Sequence, residues 1–426
     1  AGLVTRAASQ AVRAARAAAE ALAFERAASM YSAALRLGDL PAADALALRI
    51  EMADALVNAG RGTDAADAYL AAADGADAAV RLECRRKAAG HLLITGDIER
   101  GLATLGEVLG ELGARLPPTP RRALVSFLWN RAGLRLRGTR FTPRDESALT
   151  RRELELIDLY HSVGVGLSLV DTIRGADFQA RGLRLALAAG ETRRVVRGIA
   201  LDAGILASQG PRANARALRR LDRCAEIVEG LDDPYLRGWV VGGRGLAHYL
   251  GGRFTMGAAM LKEAEAPLRA DTRGNIWEFN TVRVFRLFAL RQLGRWREMR
   301  EELAEHLRDA ARRGDRYAET SLARGVNMAW LVADDPARAR RELDEARWTP
   351  PDGGYHMQHW YELRARLEMG MYEDDVDTLA HLLATGFEPL ERSMLQRAQT
   401  LRTEVLWIRG RAALAVHVAR GGDELL

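Results

Sequence analysis

The sequence predicts an all-α fold, an α-solenoid of antiparallel helix pairs. Three observations predict it. A unit of about forty residues recurs along the chain, apolar residues fall three and four apart, and no stretch alternates as a strand would. Size agrees: 426 residues, 48% of them hydrophobic, exceed one compact core of ordinary dimensions.

The unit is clearest in residues 245–268, GLAHYLGGRFTMGAAMLKEAEAPL. Gly245, Gly252, Phe254, Leu261 and Ala264 follow at intervals of 7, 2, 7 and 3. Taken from the N-terminus, Phe24, Ala27, Tyr31, Ala34 and Leu35 supply the second half of one unit. Ala53, Gly60, Ala65, Tyr69 and Ala72 form the next, then Ala89, Gly96, Ile98, Leu105 and Val108. Later come Leu287, Gly294, Trp296 and Leu303, then Asn327, Asp334, Pro336, Leu343 and Ala346. Each unit reads as helix, tight turn, helix. The small residue lets two backbones approach, Gly or Asp-Asp-Pro turns the chain, and Leu or an aromatic fills the gap. The equivalent positions Ala27, Ala65 and Gly101, then Gly257, Met299 and Ala339, differ by 38, 36, 42 and 40.

The pattern is weak at 121–210 and after about 370. Pro and Gly mark breaks at 116–120, 141–147, 207–216 and 349–354. The expected organisation is N-terminal repeats over 1–115, an irregular helical joint with a basic amphipathic helix over 116–190, and C-terminal repeats over 191–426, all in one continuous solenoid. One helix pair cannot bury both faces. A buried Leu or Phe gains about 1.5–3 kcal/mol, whereas ordering a residue costs about 1–2 kcal/mol, so stacked neighbours must stabilise one another.

These residues resemble the tetratricopeptide repeat (TPR), which implies a right-handed superhelix whose first helices line a concave face. Residues 112–138 and 167–191, followed by AWLVADDPARARRELDEA, GYHMQHWYELRA and RSMLQRAQTLRTEVLWIRGRAALA, are also similar to the helical C-terminal regions of large myxobacterial-type signalling proteins. In that family a serine/threonine kinase domain and an AAA-type or STAND ATPase precede the repeats. The resemblance implies a regulatory arm that binds a partner or inducer, with any kinase or ATPase segment upstream of these residues. It carries no catalytic residue onto this sequence.

Composition narrows the chemistry. The 62 basic and 57 acidic residues leave a net charge of only +5, and the sole lysines are Lys87 and Lys262, neither in a Gly-rich loop. Cys84 and Cys224 lie far apart, so neither a disulfide framework nor a metal spacing is formed. No signal peptide or spanning-length apolar run occurs, and a cytoplasmic location is expected. The start, AGLVTRAASQ, lacks Met and reads as an excised fragment.

Candidate sites are few. From Arg115 to Arg144 there are eight Arg and no acid; Arg121, Arg122, Arg131, Arg135 and Arg137 form a basic helix with Phe127, Leu128 and Trp129. Such a helix can meet membranes or phosphate backbones, but its expected state is docked on the solenoid with Arg turned to water. His356 and His359 share a helix face beside Trp360 and Tyr361. Without a third ligand pattern they read as a polar, aromatic groove surface rather than a metal site. The glycines of 161–171 and 241–248 lack a preceding strand and a following Lys-Ser/Thr, and no cofactor is expected. No nucleophile, acid–base or kinase motif is present.

Repeat register places Arg86, Trp239, Tyr249, Phe288, Arg291, Arg324 and Met328 on the concave face, where aromatic and Arg side chains serve as anchors. The function expected is a non-catalytic scaffold binding a protein or peptide there, the upstream domains of the same polypeptide included. The alternative is a sensor that encloses a small-molecule inducer. Nucleic-acid or membrane-surface binding through Arg115–Arg144 comes third.

Overall fold

The computed structural model describes residues 2–37, 40–95, 97–113, 117, 120–167, 172–270, 275–313, 316–345, 355, 357–393 and 395–421. Among them regular structure is helical throughout, apart from an isolated bridge between Arg144 and Glu191. The chain divides into two compact units. The first is Ala1–Arg194 with the short stretches Thr272–Ile276 and Asp309–Arg316; the second is Val195–Asp271, Trp277–Arg308 and Tyr317–Leu426.

The first unit contains α1 (Gly2–Glu20), α2 (Phe24–Leu37), α3 (Ala42–Asn58), α4 (Gly62–Ala73), α5 (Ala78–Thr95), α6 (Ile98–Glu111), α7 (Pro120–Arg137), α8 (Arg151–Leu167) and α9 (Thr172–Ala189). The boundary lies within α10 (Thr192–Ala207). The second unit continues with α11 (Pro211–Glu229), α12 (Pro234–Leu250), α13 (Phe254–Ala270), α14 (Ile276–Gln292), α15 (Trp296–Arg313), α16 (Arg316–Gly325), α17 (Met328–Leu331) and α18 (Pro336–Asp344). It ends with α19 (Met357–Tyr372), α20 (Val376–Thr385), α21 (Phe387–Arg392) and α22 (Gln399–Ala419).

The recurring interval of seven has a structural cause. It separates the close-packing position of a first helix from a residue that takes the left-handed conformation just past the helix end. Gly60, Gly252, Gly294, Asp334 and Asp374 have φ of 79°, 75°, 68°, 58° and 55°. The next residue's N–H then turns back to a carbonyl five residues earlier: Arg61 to Leu56, Arg253 to His248, Arg295 to Leu290, Asp335 to Trp330 and Asp375 to Gly370, all at 2.9–3.0 Å. This is the Schellman closure, which satisfies carbonyls at a helix end. Asp335 and Asp375 also cap the following helix, accepting from the N–H groups of Arg338 and Thr378 at 3.0 Å.

The α19–α20 hairpin extends the pattern beyond residue 370. Leu367, Asp374, Val376 and Leu383 keep the intervals 7, 2 and 7. The fold is therefore an all-α helical-repeat array. Its cores are stacks of small residues with aromatic plugs: Ala27, Tyr31, Ala65 and Tyr69 in the first unit, Ala258, Leu287, Leu303 and Trp360 in the second.

The stretch after α6 departs from simple stacking. The α8–α9 hairpin packs on α5: Gly166 meets Leu93, and Arg86 donates to the Ser162 hydroxyl at 3.0 Å. Helix α7 lies instead against α9. There Ser126 donates to Asp177 at 2.7 Å, Asn130 to Asp177 at 3.1 Å, and Arg184 to Asn130 at 2.7 Å. The Arg144 N–H then donates to the Gly190 carbonyl at 2.9 Å, tying the return segment to the end of α9. An excursion thus interrupts the repeat between α6 and α8, and the sequence period fades there.

Candidate binding cavity

In the second unit several hairpin turns converge on a cavity of about 710 Å³. Tyr249 ends α12, Arg291 ends α14 and Met328 begins α17, and all three line it. Phe254 and Trp296, the first residues of α13 and α15, add aromatic wall. Helix α22 closes the remaining side with Glu404 and Trp407. Its start is held by the Gln399 N–H donating to the Ser208 carbonyl at 3.1 Å and by Gln292 donating to Glu404 at 3.0 Å.

The walls are ordered by buried charge. Arg291 donates to Glu368 at 2.5 Å and lies 3.9 Å from Glu404. Burial alone would weaken the Arg291 cation, but the carboxylates of Glu368 and Glu404 outweigh it and raise its pKa. Burial, then the nearby Glu404 charge, pushes the Tyr249 hydroxyl well above its ordinary range, so it stays a neutral donor. The break between α16 and α17 frees the Gly325 carbonyl, and Arg364 donates to it. The cavity can therefore offer the guanidinium groups of Arg253 and Arg291, a carboxylate, side-chain amides and aromatic faces. Its one carboxylate, Glu404, stands beside the hydroxyls of Thr400 and Thr403 on α22.

The other expected groove residues are placed differently. Trp360 is 0% exposed, and Trp239 and Phe288 are also buried, in edge-to-face contact with Trp277 and Tyr361 respectively. Tyr249 and Arg291 are buried as well, but they line the cavity, whereas these three rings do not. Register places Trp239 and Phe288 along first helices, but neighbouring helices cover them; Trp360 is expected from its place beside His356 and His359. Arg324 is buried and pairs with Glu362 at 3.2 Å. Arg86 lies in the first unit and binds Glu83 and Ser162. His359 packs its ring 5.2 Å from that of Tyr355, while His356 lies outside the described residues.

On α7, Arg122, Arg135 and Arg137 are exposed and Arg131 partly so; the side chain of Arg121 and all of Arg115 lie outside the described residues. Arg137 is tied to the Leu187 carbonyl at 2.8 Å. Sequence reasoning did not select Phe254, Trp296, Glu404 or Trp407. The first two mark their units in the repeat pattern, but the contribution of α22 depends on contacts more than a hundred residues away in sequence.

Glu265, Glu302 and His306 present ligand atoms within 4.8 Å of one another. Lys262 lies 3.7 Å and 3.4 Å from the two carboxylates, and Arg286 pairs with Glu302 at 2.7 Å. Protein cations therefore already neutralise these acids, as in an ion-pair network.

No family model matches the chain, nor does any curated protein. Among solved structures it is similar to a Rap protein complexed with Competence and Sporulation Factor, at 13% identity over 87% of this chain and 99% of that one, with a TM-score of 0.40. It is also similar to a signal transduction ATPase with numerous domains (STAND) carrying a tetratricopeptide repeat sensor, from Pyrococcus horikoshii, at 10% identity and TM-score 0.41. That match covers 89% of this chain but 54% of the other, so the chain spans about half of that protein's length. The TPR domain of P58(IPK) matches at 14% identity over 95% of this chain and 99% of that one, with a TM-score of 0.23.

Proposed function

We propose that this chain is a non-catalytic binding arm of a cytoplasmic signalling protein and receives a short segment of a protein partner in the α12–α14–α22 cavity. The observation that carries the reading is the meeting of Tyr249, Arg291 and Met328 with the half-exposed Trp407 in one recess. Aromatic and Arg side chains around a desolvated pocket are the usual centres of binding energy. The sequence resemblance adds the finer reading, a regulatory arm of a kinase–ATPase whose repeats report partner binding to the switch.

One feature favours a second reading, a small-molecule inducer. The cavity volume falls within the roughly 300–1,000 Å³ range of small-ligand pockets. One experiment separates the two. A native cell extract is divided by mass, and each fraction is tested for raising the melting temperature of the wild-type chain and of Trp407→Ala with Trp296→Ala. Stabilisation by the protein fraction, lost in the variant, supports the scaffold. Stabilisation by the low-mass fraction supports the inducer. No variant-sensitive stabilisation by either rejects the cavity as the binding site.

A further inference from the structure

The sequence leads one to expect α7 docked with its Arg turned to water, and packing would then turn its apolar residues inward. The structure places those residues otherwise. The docked face consists of Ala123, Ser126, Asn130 and Leu134. On the opposite face Val125, Trp129, Ala132 and Leu136 recur at i, i+4, i+7 and i+11 and are all exposed, Trp129 by 75% and Leu136 by 89%. Leu128 lies beside them, also exposed. At about 100° per residue these side chains make a stripe roughly 100° wide. Arg122 borders one edge, and Arg131 and Arg135 border the other. The following turn adds exposed Arg140 and Arg144, and no acid interrupts the charge from Arg115 to Arg144.

We propose that this outward face of α7 is an interfacial anchor for an anionic lipid surface, separate from the cavity of the second unit. The chemistry matches on three points. An apolar stripe with Trp can enter the headgroup–acyl boundary. Arginines along both margins can extend their stems over the stripe and hold their guanidinium groups at the phosphates. A cationic strip of one sign complements a negatively charged leaflet. A nucleic-acid backbone would answer the arginines alone and leave Val125, Trp129 and Leu136 without a partner. No described helix is long and apolar enough to cross a membrane, so the contact proposed is peripheral.

The test is flotation of the full chain with phosphatidylserine-containing and with pure phosphatidylcholine vesicles, at low and high salt. Wild type is expected to float with the anionic vesicles only, and less at high salt. Trp129→Ser with Leu136→Ser is expected to lower partitioning about ten-fold or more. Arg135→Glu with Arg140→Glu is expected to abolish it. All these substitutions are at exposed positions, and unchanged melting curves establish that the variants are folded. Failure of wild type to float, or flotation of the Trp129/Leu136 variant equal to wild type, overturns the proposal. So does a wild-type dimer in gel filtration that this variant dissociates, because the face would then serve a second copy. Binding of duplex DNA or RNA that persists in the variant, without lipid binding, assigns the arginines to phosphate backbones instead.

Discussion

Arg364 donates to Glu404, a residue of the cavity lining, at 3.0 Å and so links α19 to α22. Arg364 is 3% exposed, and its other terminal nitrogen is taken by the Gly325 carbonyl. Breaking a buried pair by removing one partner leaves an uncompensated charge, which costs more than the intact pair contributes. Glu404→Ala is therefore expected to destabilise the second unit by about 2–4 kcal/mol. Glu404→Gln, which keeps an acceptor for Arg364, should lose less. Urea midpoints at unchanged slope measure both. Glu388→Ala removes the exposed Arg392–Glu388 pair and should shift the midpoint little. Equal shifts for Glu388→Ala and Glu404→Ala would show that Glu404 has no special role in the fold.

The close crossing of α12 and α13 makes a second prediction. A Cβ on Gly257 would lie 3.0 Å from the Tyr249 nitrogen and 3.1 Å from the Gly245 oxygen, both backbone atoms. A Cβ on Gly245 would lie 2.9 Å from the Leu261 nitrogen. Backbone cannot yield as a side-chain tip can, so Gly245→Ala and Gly257→Ala should each cost about 1–3 kcal/mol. Gly106, inside α6, has nothing within 4 Å of the added atom. Gly106→Ala should stabilise by roughly 0.5–1 kcal/mol through helix propensity alone. Thermal melts of the three variants test the contrast; a uniform response would mean that the α12–α13 approach is looser than described.

The repeat and its turns were readable because one local geometry recurs. In five described hairpins a left-handed residue stands just past the first helix, so Gly or Asp appears at a fixed distance from the packing position. Leu367, Asp374, Val376 and Leu383 show the same signal, missed because Asp-Asp-Val lacks the Pro or Gly that drew attention elsewhere. Burial was less legible. Register identifies the helix that carries Trp239 or Phe288, but not which neighbouring helix covers the ring. The cavity was half visible: Tyr249, Arg291 and Met328 sit near their own turns. Glu404 and Trp407 arrive on α22, whose position depends on long-range bonds such as Gln292 to Glu404.

Those Asp turns are testable. A left-handed non-Gly residue carries a steric cost that Gly avoids. Asp374→Gly is expected to stabilise the second unit by about 0.5–1 kcal/mol. Asp334→Gly should gain less, because the Asp334 carboxylate accepts a hydrogen bond from the Tyr372 hydroxyl. Adding Tyr372→Phe should bring the Asp334 effect up to that of Asp374. Denaturant midpoints in the two backgrounds decide the matter, and identical effects for the two Asp positions before Tyr372 is changed would refute the assignment.

The first unit carries a pH response at His91. Burial, with the charges of Lys87 and Arg86 adding to it, lowers the His91 pKa from 6.5 to about 4, and its ring stacks on Tyr69 with centroids 6.1 Å apart. Above pH 6.5 the imidazole is neutral in the folded and unfolded chains and contributes no pH dependence. Between pH 6.5 and about 4 only the unfolded chain takes up the proton, so stability falls as pH falls. Below pH 4 both states are protonated and the loss stops growing. The full effect is of the order of 3 kcal/mol. His91→Gln cannot titrate, so its stability relative to wild type should rise across that window, whatever the carboxylates contribute to both proteins. Urea denaturation at pH 7, 5.5 and 4.5 measures the difference. A constant gap between the two proteins would mean that His91 takes up its proton as readily in the folded chain as in the unfolded one.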